Sequence, residues 1–226
     1  MGKRTGGMRV IAGRFRRRVV EAKPGESTRP ITDRVKEALF ARLCDFRGEL
    51  LPETEGGPLR ALDVFAGTGT IGLEALSRGA THAVFIERDP EAAEILARNL
   101  DAFGLTDEET VVWQTDVTRC GFLPKRPDNA ALVAERFVPY DLVTFDPPYP
   151  LAADLRPGTP LFRSLKTLAK PTVTTAKARL VLRVPTKTDL VIPDEWRDEL
   201  WEFEMSNMRL ICRGKPLEGE STEEEE

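Results

Sequence analysis

Residues 59–79 read LRALDVFAGTGTIGLEALSRG, and this stretch decides the fold. An apolar run, LRALDVF, ends in a glycine-rich turn, and the chain then opens a helix, TIGLEALS, with Gly79 as the residue after its C-cap. The glycines at 67, 69 and 72 satisfy GxGxxG. Glycine lets the backbone pass close to a ligand, and a helix N-terminus offers free N–H groups to an acceptor. The string serves several cofactors, so it predicts a strand, turn and helix and leaves the ligand open.

The pattern repeats outward from there. THAVFIE (81–87) is a second strand, Asp89 an N-cap with Pro90 at the first helical position, and Gly104 ends the helix that follows. VVWQTD (111–116) and YDLVTFD (140–146) are two more strands, and ARLVLRVP (178–185) a fifth, after a helix near 160–169. Strands rich in Val, Ile, Leu and Phe without strict alternation are buried on both faces, as in a parallel sheet between helices. Alternation on either side of Ser206-Asn207 predicts an antiparallel pair that finishes the sheet. The fold class is therefore α/β, doubly wound and mostly parallel. Upstream, residues 8–20 alternate around Gly13 like a short hairpin. A loop (23–30), a helix (33–45) capped by Thr32 or Asp33, and a linker (51–58) follow. The expected organisation is a basic N-terminal extension (1–30), the main domain (31–216) and an acidic tail (217–226).

Composition narrows the function. The chain has 226 residues, enough for one large domain, and its apolar residues come in bursts too short to cross a bilayer. No secretory h-region is seen behind the basic start, so a cytoplasmic location is expected. Three cysteines, Cys44, Cys120 and Cys212, form no CxxC, which argues for free thiols and against a metal site. The single histidine, His82, removes most mechanisms built on a histidine base. The net charge of −4 hides an asymmetry: residues 1–42 hold twelve Lys/Arg against four Asp/Glu, while the last ten residues hold six acids and no base. Arg14, Arg16, Arg17 and Arg18 beside Phe15 suit a phosphate-backbone contact, a solvated surface being the competing reading.

Three acids flank the glycine turn. Asp63, before it, is well placed for the ammonium of a methionyl group and poorly placed beside a pyrophosphate; the alternative is a carboxylate that caps the turn. Glu87, at the end of the second strand, suits ribose hydroxyls, and Asp116, after the third, suits an adenine amino group or a local cap. At the end of the fourth strand stands Asp146-Pro147-Pro148-Tyr149. Open α/β sheets bind ligands beyond the carboxyl ends of their strands, so this tetrapeptide faces the same crevice as the turn. Neither proline has an N–H, so the loop presents carbonyl oxygens and a carboxylate with few competing donors. Those acceptors can hold both hydrogens of a nucleobase amine and aim its lone pair at a methyl donor, while Tyr149 stacks on the base.

These residues carry a resemblance. MRVIAGRFRRR, RPITDRVKEALF, LDVFAGTGTIGLEALSRGA and DPPY together resemble the RsmD-type family of small-subunit ribosomal RNA guanine-N2 methyltransferases, over residues 8 to about 150. The resemblance implies a Rossmann-like class I methyltransferase that uses S-adenosylmethionine and no metal, with ribosomal RNA or a small-subunit assembly particle as partner. It implies cofactor contacts at Asp63, Phe65, Ala66, Gly67, Thr68, Gly69, Glu87, Arg88, Asp116 and Val117. The guanine falls to Asp146, Pro147, Pro148 and Tyr149, and RNA to Arg14, Arg16, Arg17, Arg18, Arg29 and Arg34. Residues 124–139 form a longer connection than the family uses, and MSNMRLICRG stands where a tyrosine-glycine turn is expected.

The second reading is an N6-adenine methyltransferase acting on DNA or RNA, which uses nearly the same four residues. A protein-glutamine methyltransferase leaves the basic head unexplained. A nicotinamide oxidoreductase accounts for GxGxxG but not for DPPY, and a non-catalytic RNA-binding module accounts for neither.

Overall fold

A computed structural model describes residues 8–24, 31–45, 47–50, 56–124, 135–205 and 207–213. Arg29, the acidic tail and most of the 124–139 connection lie outside the described residues. The main sheet has seven strands: β3 (Arg60–Val64), β4 (His82–Glu87), β5 (Thr110–Gln114), β6 (Tyr140–Phe145), β7 (Thr174–Pro185), β8 (Leu200–Met205) and β9 (Met208–Arg213). Their spatial order is β5-β4-β3-β6-β7-β9-β8. The first five run parallel, and β9 joins β7 and β8 antiparallel. The order reverses between β3 and β6, and that switch point fixes where a ligand can sit.

The strands lack alternation because each side of the sheet has its own core. Ala61, Ala83 and Phe85 face one apolar cluster, while Leu62, Val64, Val84 and Ile86 face the other. β7 starts at Thr174, four residues before the expected boundary, since Thr174 pairs with Tyr140 across a register shift. The connecting helices include α1 (Asp33–Leu43), α2 (Thr70–Ser77) and α3 (Pro90–Ala102). Local chemistry sets their starts: Thr32 accepts from the Val35 N–H at 3.3 Å and Asp89 from the Ala92 N–H at 2.8 Å. At Gly72 a Cβ would lie 2.2 Å from the Phe85 ring, so this glycine is required for helix-to-strand packing.

The basic N-terminal segment is part of the body. β1 (Met8–Arg9) and β2 (Val19–Val20) form a two-stranded antiparallel ribbon, and Val10, Phe15 and Val20 belong to the same apolar cluster as α1 and α2. Glu74, fully buried in the middle of α2, accepts from the Ile11 and Ala12 N–H groups and from Arg78. Gly13 sits against Ser77 so closely that a Cβ would lie 1.8 Å from its carbonyl oxygen. Buried Asn99 on α3 exchanges hydrogen bonds with the Glu21 backbone and donates to the Thr68 carbonyl at 3.0 Å, which joins this segment to the glycine turn.

Candidate active site

The carboxyl ends of β3, β4 and β6, the residue after β5 and Arg183 of β7 surround one cavity of about 950 Å³. Its wall brings together Asp63, Phe65, Ala66, Gly67, Thr68, Glu87, Arg88, Asp116, Val117 and the whole Asp146-Pro147-Pro148-Tyr149 loop. Gly69 is set back, with the direction of a Cβ only 2.3 Å from Leu96 Cδ1.

The turn is held open by unusual backbone and by acids. Phe65, Gly67 and Gly69 all have positive φ, at 63°, 55° and 88°. For a bulky residue such as Phe65 that conformation costs about 1–3 kcal/mol and recurs at functional sites. Its ring packs edge-on against Phe145, with centroids 5.3 Å apart. Glu87 braces the turn, accepting from the Gly67 N–H at 2.8 Å through one oxygen and from the Asp89 N–H at 2.7 Å through the other. Around Gly67 no atom lies within 4 Å of where a Cβ would point, which leaves backbone and open space facing a ligand.

Asp63 is almost wholly buried and accepts from the Gly72 N–H at 2.8 Å and from the Thr144 hydroxyl at 2.7 Å. Thr144 is its register partner on β6. Burial pushes the Asp63 carboxyl up to about 7, the two hydrogen bonds pull it down, and the Asp146 and Glu87 carboxylates push it up further. Asp63 thus both caps α2, which has no other side-chain cap, and lines the cavity. Asp116 is engaged locally: one oxygen accepts from the Thr118 N–H and hydroxyl at 2.8 and 2.7 Å, and the other faces Arg88 at 3.4 Å. These contacts hold it below the usual carboxylate range.

On the opposite wall, Asp146 is gripped by a residue that the sequence reading missed. Arg183 donates from Nε to one carboxylate oxygen at 2.7 Å and from Nη2 to the other at 2.5 Å. Its Nη1 faces the Met208 sulfur at 3.3 Å. Burial raises the Asp146 carboxyl and Arg183 lowers it, with a net upward shift. A signal was present: an arginine inside the apolar strand LVLRV needs a buried counter-charge. Tyr149 opens a one-turn helix, Tyr149–Ala152, and is 43% exposed, so its ring is available at the cavity. Lys23 was missed as well; it lines the cavity and pairs with Asp89 and Glu91 at 2.8 and 3.1 Å. His82 opens β4, whereas the cavity lies at the strand's far end, about 16 Å away at strand rise.

The arginine cluster divides. Arg18 donates to the Ala102 carbonyl and lies over the Phe103 ring, at 4.3 Å from its centroid. Arg14 stacks on Phe15 at 4.4 Å and pairs with Glu109. Arg16, Arg17 and Arg34 are exposed and make no ion pair among the described residues. The tip that carries Arg16 and Arg17 is anchored at Ser77, the far end of α2 from the glycine turn, roughly 12 Å along the helix.

A doubly wound sheet, a glycine turn and an Asp-Pro-Pro-Tyr loop on one crevice define the Rossmann-like class I methyltransferase fold. Within that class the chain belongs to the family described as Conserved hypothetical protein 95, which matches residues 8–191. It is 39% identical over 142 residues to "Putative rRNA methyltransferase YlbH" of Bacillus subtilis, covering 63% of this chain and 67% of that protein. It is 35% identical over 144 residues to "Ribosomal RNA small subunit methyltransferase D" of Haemophilus influenzae, covering 64% and 65%. The chain thus spans about two thirds of the length of these curated relatives. Among solved structures, "Putative methyltransferase yhhF from Escherichia coli" superposes with a TM-score of 0.65 at 26% identity, covering 94% of this chain and all of that one.

Proposed function

We propose that this protein is an S-adenosylmethionine-dependent ribosomal RNA methyltransferase that modifies the exocyclic N2 amine of a guanine in small-subunit RNA. The observation that carries the reading is the shared cavity: the glycine turn and the Asp146 loop open onto the same space. The relatives' printed names, both rRNA methyltransferases, favour this reading over an N6-adenine enzyme.

The residues present fit the cofactor. The bare backbone at Gly67 leaves room for close approach, the Asp63 carboxylate offers a partner for an ammonium, and the remaining lone pairs of Glu87 suit ribose hydroxyls. When bound, S-adenosylmethionine supplies an electrophilic methyl carbon, whose bond to sulfur breaks as the amine's lone pair takes it. Asp146 and the Pro147 carbonyl hold the amine hydrogens, which fixes the direction of its lone pair. Asp146 also stands ready to accept the proton that the methylated nitrogen sheds. Tyr149 stacks on the base and holds it against sliding, so catalysis is by positioning and electrostatics. A base paired in a duplex cannot reach this pocket, so the guanine enters unpaired or flipped out. Arg16 and Arg17 at the ribbon tip, with Arg34, contact phosphates away from the cavity, and Arg14 and Arg18 chiefly hold the ribbon in place. The substrate is ribosomal RNA or an assembling small-subunit particle, which places the protein in the cytoplasm. No described helix is long and apolar enough to cross a membrane.

Calorimetry with S-adenosylmethionine and with NAD, followed by transfer of labelled methyl to small-subunit RNA, tests the proposal. Preferential NAD binding, or labelling of DNA rather than RNA, rejects it.

A further inference from the structure

We propose that Arg183 is the positioning residue of the reaction: its two-pronged grip fixes the Asp146 carboxylate and keeps it in the ionised, proton-accepting form. The inference rests on the methyl-transfer reading above and adds a residue to it. Both oxygens of Asp146 accept from one planar guanidinium, at 2.7 and 2.5 Å, so the carboxylate cannot rotate about its last bond without breaking a hydrogen bond. The guanidinium is itself buried, and the third donor position faces a thioether, so its charge is directed at Asp146.

The need for such a partner follows from burial. An isolated carboxyl in this wall favours its neutral form, and a protonated Asp146 turns one acceptor into a donor that repels the incoming amine hydrogens. The other ionisable groups around the cavity do not replace Arg183. Asp63 on β3 and Glu87 at the end of β4 are acids, as are Asp116 after β5 and Asp154 beyond the loop. Arg88 is directed to Asp116 and Lys23 to Asp89 and Glu91. Asp63, on the cofactor wall, is pushed up to about 7, and its ionisation is followed through cofactor affinity at each pH, whereas kcat at saturating cofactor follows Asp146.

The test is the pH profile of methyl transfer to small-subunit RNA by the full chain and by Arg183→Gln and Arg183→Lys, with S-adenosylmethionine binding measured calorimetrically. Loss of the positive charge in Arg183→Gln moves the acid-side midpoint of kcat upward by about one pH unit or more, so that activity is partly recovered at alkaline pH. Arg183→Lys keeps a midpoint near wild type with a lower plateau, since an ammonium cannot make the paired contact. Cofactor affinity stays within about twofold in both, which shows an intact site. A uniform drop in kcat with an unmoved midpoint in Arg183→Gln reduces Arg183 to a structural residue and overturns the proposal. If Arg183→Gln does not fold, an unchanged wild-type midpoint in Arg183→Lys supports it, and a midpoint raised there overturns it. Absence of methyl transfer by the wild type contradicts the functional reading itself, a different failure.

Discussion

On the glycine-turn side of the cavity, three carboxylates accept from backbone N–H groups: Asp63 from Gly72, Glu87 from Gly67 and Asp89, and Asp116 from Thr118. On the other side, Asp146 is held by Arg183, 37 residues further along the chain on the next strand, β7. The first arrangement uses acids to shape the backbone, so that the surface offered to a cofactor is largely main chain with spare lone pairs. The second holds a charged side chain in one orientation by means of another charge. A preformed backbone cradle suits tight binding, and an oriented acceptor suits the reacting atom, so binding and chemistry are separable on the two walls.

Substitutions on the Asp146 wall sharpen that separation most. Asp146→Ala lowers methyl transfer about 100- to 1,000-fold while cofactor affinity stays nearly constant. An equal loss in both quantities, seen by calorimetry and by label transfer, breaks the division between walls. Tyr149→Ala slows transfer about ten- to one hundredfold, from the loss of a stacking contact of roughly 1–3 kcal/mol. Turnover close to wild type at saturating RNA removes its role.

The cofactor wall has its own signature in pH. Because the folded Asp63 carboxyl lies near 7, above its ordinary 3.8, the native state keeps a proton that the unfolded chain has released. Stability from this group is therefore present at low pH and declines as pH rises from about 4 to about 7. Affinity for a ligand ammonium runs the other way, rising roughly eightfold between about pH 6 and 7.5 as Asp63 ionises. Asp63→Asn flattens both trends, which melting curves and calorimetry at the two pH values measure; a pH-independent wild-type affinity separates Asp63 from the ammonium. The smallest effect lies outside the cavity. Replacing Arg16 and Arg17 with Ala reduces the salt slope of RNA binding by about 1.5, and replacing Arg14 and Arg18 lowers thermal stability more than it changes that slope. Equal slopes for both pairs return the whole cluster to a solvated surface.

What could be read in the sequence follows the same division. The glycine turn, the Asp89 cap, the parallel strands and the clustering of DPPY at the sheet's carboxyl edge are local signals plus one topological rule, and they placed most of the cavity wall. The grip on Asp146 depends on register between β6 and β7, where Phe145 pairs with Leu182 and sets Arg183 beside Asp146. Likewise Glu74 reads as an ordinary helix charge in TIGLEALS but is the buried acceptor that docks the basic ribbon. Arg18 reads as one more exposed cation, yet it caps the carbonyl end of α3. In each case the deciding partner comes from a distant element, and charge alone does not announce which element that is.

In the proposed reaction the Asp146 wall presents a guanine amine to a methyl donor held on the glycine-turn wall. Nucleoside mass spectrometry of small-subunit RNA incubated with the protein and S-adenosylmethionine tests it most directly. The expected product is N2-methylguanosine with the wild type, lost with Asp146→Ala. N6-methyladenosine as the product, or N2-methylguanosine formed equally well by Asp146→Ala, contradicts it.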